Sequence, residues 1–469
     1  MPERTIPEPT FAAGRKMRSS KVIYPLDYNR QLQDFDNWDH MVFVRMFGRL
    51  TVYDFPTPPE GVLDLGCGTG LWCIEAAKQW PRSTFVGVDI KKLQPDLARS
   101  GHMDLASRIK WVHANFLNAL PFASNIFDFV RIRYIGLAVP EDKWQDLLEE
   151  VHRVLKPGGL VEITEDDLTF PCGPAPYPSL TDSNLLATTS SSDSTTGSSQ
   201  TSLTTPVSTQ PRDHMNLLIP SASIGDLEAL SPSSPTQCES KISPRDHRRI
   251  CESWKDMLNH HFIAPPVSIL PFYLSSIFAH VAPQPLLQLN LPPNSSLGGQ
   301  PRPRGSPDSP IGFHVLNSAD EGLRSQGSLS ISYPLPESVM PLQLARQVHM
   351  IVACKDVIWE RYQALYSKSS TVSDVTISKK ERNIKSNTAR DEFEFHWENW
   401  VNDMLDRMDI RNIVMAAFSV PPPPGNHTPE HKVWRKRCGE IEHADSDQLD
   451  DSVCRYIRTF LSWKASDPV

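Results

Sequence analysis

Its 8 cysteines include no C-x-x-C pair, and no histidine stands at zinc-finger spacing, so the sequence offers no metal site. Excess positive charge is also missing. The 47 Lys and Arg are outnumbered by 55 Asp and Glu, for a formal net charge of -8, so nothing draws the whole chain to nucleic acid. Two short basic runs, Lys379-Lys380-Glu381-Arg382 and Arg435-Lys436-Arg437, read as solvated faces. No apolar run is long enough to span a membrane, and residues 1–20 lack the hydrophobic stretch of a signal peptide. A soluble protein of the cytoplasm or nucleus, with reduced thiols and no membrane partner, is the expectation. With 42 prolines and 39% hydrophobic residues in 469, much of the chain is not core.

What is present is concentrated in one stretch. Val62-Leu63-Asp64-Leu65-Gly66-Cys67-Gly68-Thr69-Gly70 followed by Phe85-Val86-Gly87-Val88-Asp89-Ile90 reads as strand, glycine-rich turn, helix and second strand ending in an acid. Glycines let the backbone turn tightly and approach a ligand, and Asp89 falls where an acid accepts hydrogen bonds from ribose hydroxyls. A dinucleotide loop requires a further glycine, and Leu71 occupies that place. Asp64, read as lying at the lip of the loop, would repel a pyrophosphate and suit a cationic amine. A ligand with an ammonium, a ribose and no phosphate fits, and S-adenosylmethionine is one.

The surrounding pattern predicts an α/β fold. Helices are expected between Tyr24 and Tyr53, then strand 62–65, helix 70–80, strand 84–89, a short helical region 93–106, strand 109–113, strand 127–132, helix 143–155 and strand 160–165. Strands separated by helices imply a parallel sheet covered on both faces. Residues 1–21 and the Ser/Thr/Pro-rich insertion 172–245 are expected to be disordered, since neither holds enough apolar area to offset ordering. Helical periodicity returns at 246–262, 268–281, 341–366 and 392–418, within a C-terminal part spanning 246–420 with loops at 292–335 and 367–387. The remainder, 421–469, reads as a mostly polar tail with one helix at 448–463.

Several residues sit where chemistry is expected. His113-Ala114-Asn115-Phe116 closes the third strand on the crevice side, where an amide and a ring would meet an adenine; a turn residue and a core aromatic are the equal alternative. Arg131 and Arg133 share one side of their strand and would hold a carboxylate or the amino-acid part of the cofactor, or else pair with a neighbouring acid. Glu165-Asp166-Asp167 could supply a base or merely solvate a strand end.

Taken in order, Tyr24-Pro25-Leu26-Asp27-Tyr28-Asn29-Arg30-Gln31, VLDLGCGTGLWCIE at 62–75, VGVDI at 86–90, ANF at 114–116, FDFVRIR at 127–133 and EEVHRVLKPGGLVEITEDD at 149–167 resemble the LaeA/UMTA-like group of class I S-adenosylmethionine-dependent methyltransferases, known mainly from fungi. The resemblance is strong over residues 22–171, the expected cofactor-binding core. It implies a Rossmann-like class I sheet with an N-terminal helical lid and helical C-terminal additions. It places Asp64, Gly66, Gly68 and Gly70 at the methionine end of the cofactor, Asp89 on the ribose and Asn115 with Phe116 at the adenine. Cys67 and Ile90 lie in the same motifs, Arg131 beside them, and Tyr24 and Tyr28 in the lid. No catalytic residue is named. The implied activity is methyl transfer to an unidentified small molecule or protein. The alternative is a regulator of secondary metabolism that binds protein partners, with the Ser/Thr-rich insertions as docking or phosphorylation segments.

Overall fold

The computed structural model describes residues 28–173, 243–292, 313–316, 339–366, 379–408, 429–441 and 452–466, together with 6 and 294. All belong to one contact unit, spanning 1–176 and 243–469. Tyr24, almost all of 1–21, residues 174–242 of the insertion and most of the loop at 292–335 lie outside the described residues.

The first element, helix α1 (Arg30–Phe47), is bounded by its own caps. Asn29 accepts a hydrogen bond from the Leu32 N–H at 3.1 Å, and Gly48 ends the helix at φ 67°. Strand β1 (Gly61–Leu65) is wholly buried and leads through the glycine loop to α2 (Leu71–Gln79). There follow β2 (Thr84–Asp89), the single turn α3 (Met103–Ala106), β3 (Ile109–His113) and β4 (Phe127–Arg133). Helix α4 (Trp144–Val154) buries Trp144, Leu147, Leu148, Val151 and Val154, a stripe at helical spacing, before β5 (Leu155–Asp166). The expected helix over 93–106 shrinks to α3. Its first half, Leu93-Gln94-Pro95-Asp96, carries a proline that removes a helical donor, and it runs as a loop.

The C-terminal part contributes α5 (Arg248–His260), α6 (Pro266–Ile277), β6 (His280–Pro283), β7 (Leu286–Asn290) and β8 (Phe313–Leu316). Helices α7 (Val339–Val352), α8 (Lys355–Tyr366), α9 (Lys379–Met408) and α10 (Pro429–Ile441) precede the last strand, β9 (Val453–Trp463). The single helix expected over 341–366 is two. Helix α9 begins inside the expected loop 367–387, and β8 lies inside the expected loop 292–335.

The sheet order is β3-β2-β1-β4-β5-β9-β7-β8, with β6 also paired to β9. The first five strands run parallel, and the order reverses between β1 and β4, which opens a crevice at their carboxyl ends. The sheet is mixed rather than purely parallel, because β9 pairs antiparallel with β5 from Leu160↔Trp463 to Asp166↔Ile457. Residues 453–463 therefore form a strand and not the expected helix. Val453, Tyr456, Ile457, Thr459 and Phe460 are β-branched or aromatic and fit a pleated surface; the polar-tail reading fails for this segment.

Side-chain alternation divides the core. Leu63, Val86, Val130 and Phe460 pack under α4 and α6, while Val62, Phe85, Phe129 and Leu461 pack with Trp72 and Ala76 of α2. A helical core of Trp254, Leu344, Ile358, Phe393 and Trp400 joins α5, α7, α8 and α9. Among the described residues, no helix is long and apolar enough to cross a membrane.

Candidate functional site

The glycine loop and the end of β2 form one side of the crevice. Gly66, Gly68 and Gly70 have φ of 77°, 54° and 76°, a region closed to most side chains. The loop amides turn inward. Gly66 and Cys67 donate to the Val88 carbonyl, Gly70 donates to Cys67, and Gly68 donates to Asp89 Oδ2 at 2.9 Å. The Gly66, Cys67, Gly68 and Gly70 amides are thus taken up within the protein. Asp89 Oδ1 accepts from Lys91 N at 2.8 Å, so each oxygen keeps capacity for a further donor such as a ribose hydroxyl. Burial pushes the Asp89 carboxyl up, against the Lys91 and Gly68 amides that hold it down.

A Cβ on Gly68 would meet only the Tyr28 hydroxyl, 3.7 Å away, whereas one on Gly66 would strike Ile135 at 2.6 Å and one on Gly70 would strike Trp111 at 2.5 Å. Gly68 thus borders the open cradle and its neighbours hold the loop to the protein. Gln94 donates to the Gly68 carbonyl at 2.5 Å, and Thr69 Oγ1 donates to Asn37 Oδ1 of α1 at 3.0 Å. Ile90, next to Asp89, is 40% exposed and leaves an apolar side chain open there. These features fit S-adenosylmethionine: an acid for ribose, an open glycine for the backbone-proximal part and an apolar ledge.

The other expected residues are placed as follows. Asp64 does not lie at the lip of the loop. It is 1% exposed, receives Arg131 Nη1 at 2.8 Å and the Cys73 thiol at 3.5 Å, and so its charge is met within the protein. The reason is alternation: Asp64, Arg131 and Glu162 sit side by side on β1, β4 and β5, on the α2 side of the sheet. Arg131 therefore holds a carboxylate, but that of Asp64, while its guanidinium lies 4.6 Å from the Trp72 ring centroid. Asn115 takes the turn role, with Oδ1 accepting from Leu117 N at 3.0 Å, and Phe116 is buried against Gly66 in the core. The Cys67 thiol is pushed well up, first by burial and then by Asp64 and Asp89. Tyr28 donates to Asp36 Oδ2 at 2.7 Å and stands over Gly68.

A second set of residues lies at the ends of β4 and β5 beneath α1 and α7, where the expected Arg133 and Asp166 meet Asp39, Gln343, Arg346 and Arg455. Arg455 of β9 has no exposed side-chain surface and donates to Asp166 Oδ2 at 2.5 Å, with Asp39 Oδ1 at 3.3 Å. Arg133 donates to Asp39 Oδ2 at 2.6 Å, and Gln343 donates to Asp39 Oδ1 at 2.8 Å. Burial would raise the Asp39 carboxyl, but Arg133, Arg455 and Arg346 together hold it well below the usual range. Tyr134, at φ 53°, lies amid the guanidiniums of Arg133, Arg346 and Arg455, each within 4.8 Å of its ring centroid.

Glu165 accepts from Ile135 N at 2.7 Å and Gly136 N at 3.2 Å. Burial and then the neighbouring Asp166 push it up to about 8. Asp167 faces the start of α6, accepting from Val267 N at 3.0 Å, and burial pushes it up to about 6. Of the three acids read as a possible base, Glu165 and Asp166 line a cavity with Tyr28, Tyr134 and Arg346. Arg133 and the Glu165-Asp166-Asp167 run were the sequence signals of this cluster; Asp39, Gln343, Arg346 and Arg455 carried none.

Residues 62–159 match the family described as "Methyltransferase domain". A secondary metabolism regulator laeA of Coprinopsis cinerea is 32% identical over 160 residues, 31% of this chain and 36% of that protein. A demethylmenaquinone methyltransferase of Oceanobacillus iheyensis is 35% identical over 108 residues, 23% of this chain and 44% of that protein. The chain thus spans less than half the length of either relative. The solved structure of the PH0226 protein from Pyrococcus horikoshii is 24% identical, covering 29% of this chain and 62% of that one at a TM-score of 0.25. The strand order, the glycine loop ending at Gly70, the acid at Asp89 and the matched segment converge: residues 62–159 match a methyltransferase domain within a Rossmann-like sheet and are similar in sequence to laeA regulators.

Proposed function

We propose that this protein binds S-adenosylmethionine in the crevice between the glycine loop and β2 and transfers its methyl group to an acceptor. The observation that carries the reading is Asp89, whose two oxygens are anchored by Gly68 and Lys91 amides and keep acceptor capacity toward the open side of the loop. Bound there, the cofactor supplies an activated methyl on a sulfonium. The chain's own part is alignment and exclusion of water, with Tyr28 and α1 covering Gly68 and Thr69 from above. Incubating the purified chain with methyl-labelled S-adenosylmethionine and a cell extract tests the reading. Label passing to an extract component, and ceasing with Asp89→Ala, is the expected result; no transfer by the intact chain contradicts it.

A second reading is favoured by the relatives named as secondary metabolism regulators. In it the domain retains the cofactor but acts by binding protein partners through the Ser/Thr-rich segments. That reading predicts partner capture from extract without labelling.

A further inference from the structure

Building on the methyltransferase reading, we propose that the acceptor is a small hydroxyl compound, a phenol or enol, seated beneath α1 and α7, with Arg346 holding its oxygen and Glu165 taking its proton. The cavity there is lined by Tyr28, Tyr134, Leu137, Glu165, Leu168 and Arg346. It adjoins the glycine loop, since Tyr28 reaches both the cavity and Gly68, and Ile135, whose N–H bonds Glu165, packs against Gly66. An oxygen there would sit beside the place where the methyl group is presented.

Arg346 points to the ligand's chemistry. Its side chain is only 9% exposed, yet Nη1 has no hydrogen-bond partner; Asp166 Oδ2 stands 3.6 Å away, beyond bonding distance. Nε is committed to Asp36 at 3.2 Å. A buried donor left unmade costs about 1–3 kcal/mol, and an incoming oxygen removes that cost.

Charge selects among oxygen acceptors. Asp36, Asp39 and Asp166 are matched by Arg133, Arg346 and Arg455. Glu165 stands outside that balance, facing Asp166 on its own strand and Arg346 from α7. A carboxylate ligand would add a second unmatched acid beside Asp166, and an ammonium would face Arg346. A neutral hydroxyl adds no charge, and the Leu137 and Leu168 side chains suit an apolar body.

In the step, the acceptor oxygen bonds to the methyl carbon as the carbon–sulfur bond breaks, its electron pair leaving on sulfur. Where Glu165 has lost its own proton, toward pH 8, the hydroxyl proton passes to its carboxylate and then to solvent. The products are a methyl ether and the demethylated thioether.

The test uses the full chain, 4-nitrophenol as probe and S-adenosylhomocysteine binding as the check on folding. The parent should bind 4-nitrophenol, Arg346→Leu should weaken that binding about tenfold or more, and Arg346→Lys should recover part of it, all three binding S-adenosylhomocysteine alike. In Glu165→Gln the bound probe should ionise at lower pH than in the parent, read from its absorbance, because a neutral amide replaces a group that repels the phenolate once it has lost its proton. A parent that binds S-adenosylhomocysteine but not 4-nitrophenol overturns the proposal, as do equal probe affinities in the parent and Arg346→Leu or equal ionisation in the parent and Glu165→Gln. Failure of the parent to bind S-adenosylhomocysteine instead strikes the methyltransferase reading itself.

Discussion

Gly66, Gly68 and Gly70 share one motif and one backbone region but meet different surroundings. A methyl group at 66 or 70 collides with Ile135 or Trp111, so Gly66→Ala and Gly70→Ala should each lose more than about 2 kcal/mol in urea unfolding. At 68 the space is open, and only the left-handed backbone cost of about 1–2 kcal/mol applies. Gly68→Ala should therefore fold yet lose cofactor affinity, a separation that calorimetry beside urea unfolding would reveal. Glu165 gives a pH signature. Its carboxyl holds a proton more tightly in the folded protein, so its contribution is fully present below its ordinary value of 4.5 and is lost as pH rises through about 8. The fall in stability between those values should be smaller by more than about 1 kcal/mol in Glu165→Gln, measured by urea midpoints across pH. An unchanged slope would mean that Glu165 does not titrate as its burial implies.

At the level of elements, the parallel half was legible because each strand and helix announces itself locally. Four of the five parallel strands fall within a residue or two of the read spans, the exception being β5, which begins at Leu155, and the crevice follows from their order. The antiparallel half was not. Strand β9 finds its partner β5 nearly 300 residues earlier in the chain, and its apolar positions alone do not separate a short strand from a helix. The cluster of Asp39, Gln343, Arg346 and Arg455 was invisible for the same reason, since α1, α7 and β9 meet only in space. Asp64 was misplaced because its position in the motif does not say which sheet face its strand turns toward Arg131. If β9 is integral to the core, Phe460→Ala, at a fully buried position, should cost about 3–5 kcal/mol in urea unfolding. A cost below about 1 kcal/mol would place β9 outside the cooperative unit.

For the whole molecule, the sheet and site belong to one unit made of 1–176 and 243–469, and residues 177–242 lie outside the described residues. Replacing them with a flexible linker should leave the melting temperature and cofactor affinity essentially unchanged, checked by calorimetry of both forms. What unites the rest is the crevice at the reversal of strand order, closed by α1 and backed by a buried set of matched charges. The central claim is that this crevice holds S-adenosylmethionine through Asp89. Titration calorimetry of the purified chain with S-adenosylhomocysteine tests it most directly. Saturable one-to-one binding that Asp89→Ala weakens by about tenfold or more is the predicted result. No binding to the parent, or identical binding to parent and Asp89→Ala, would contradict it.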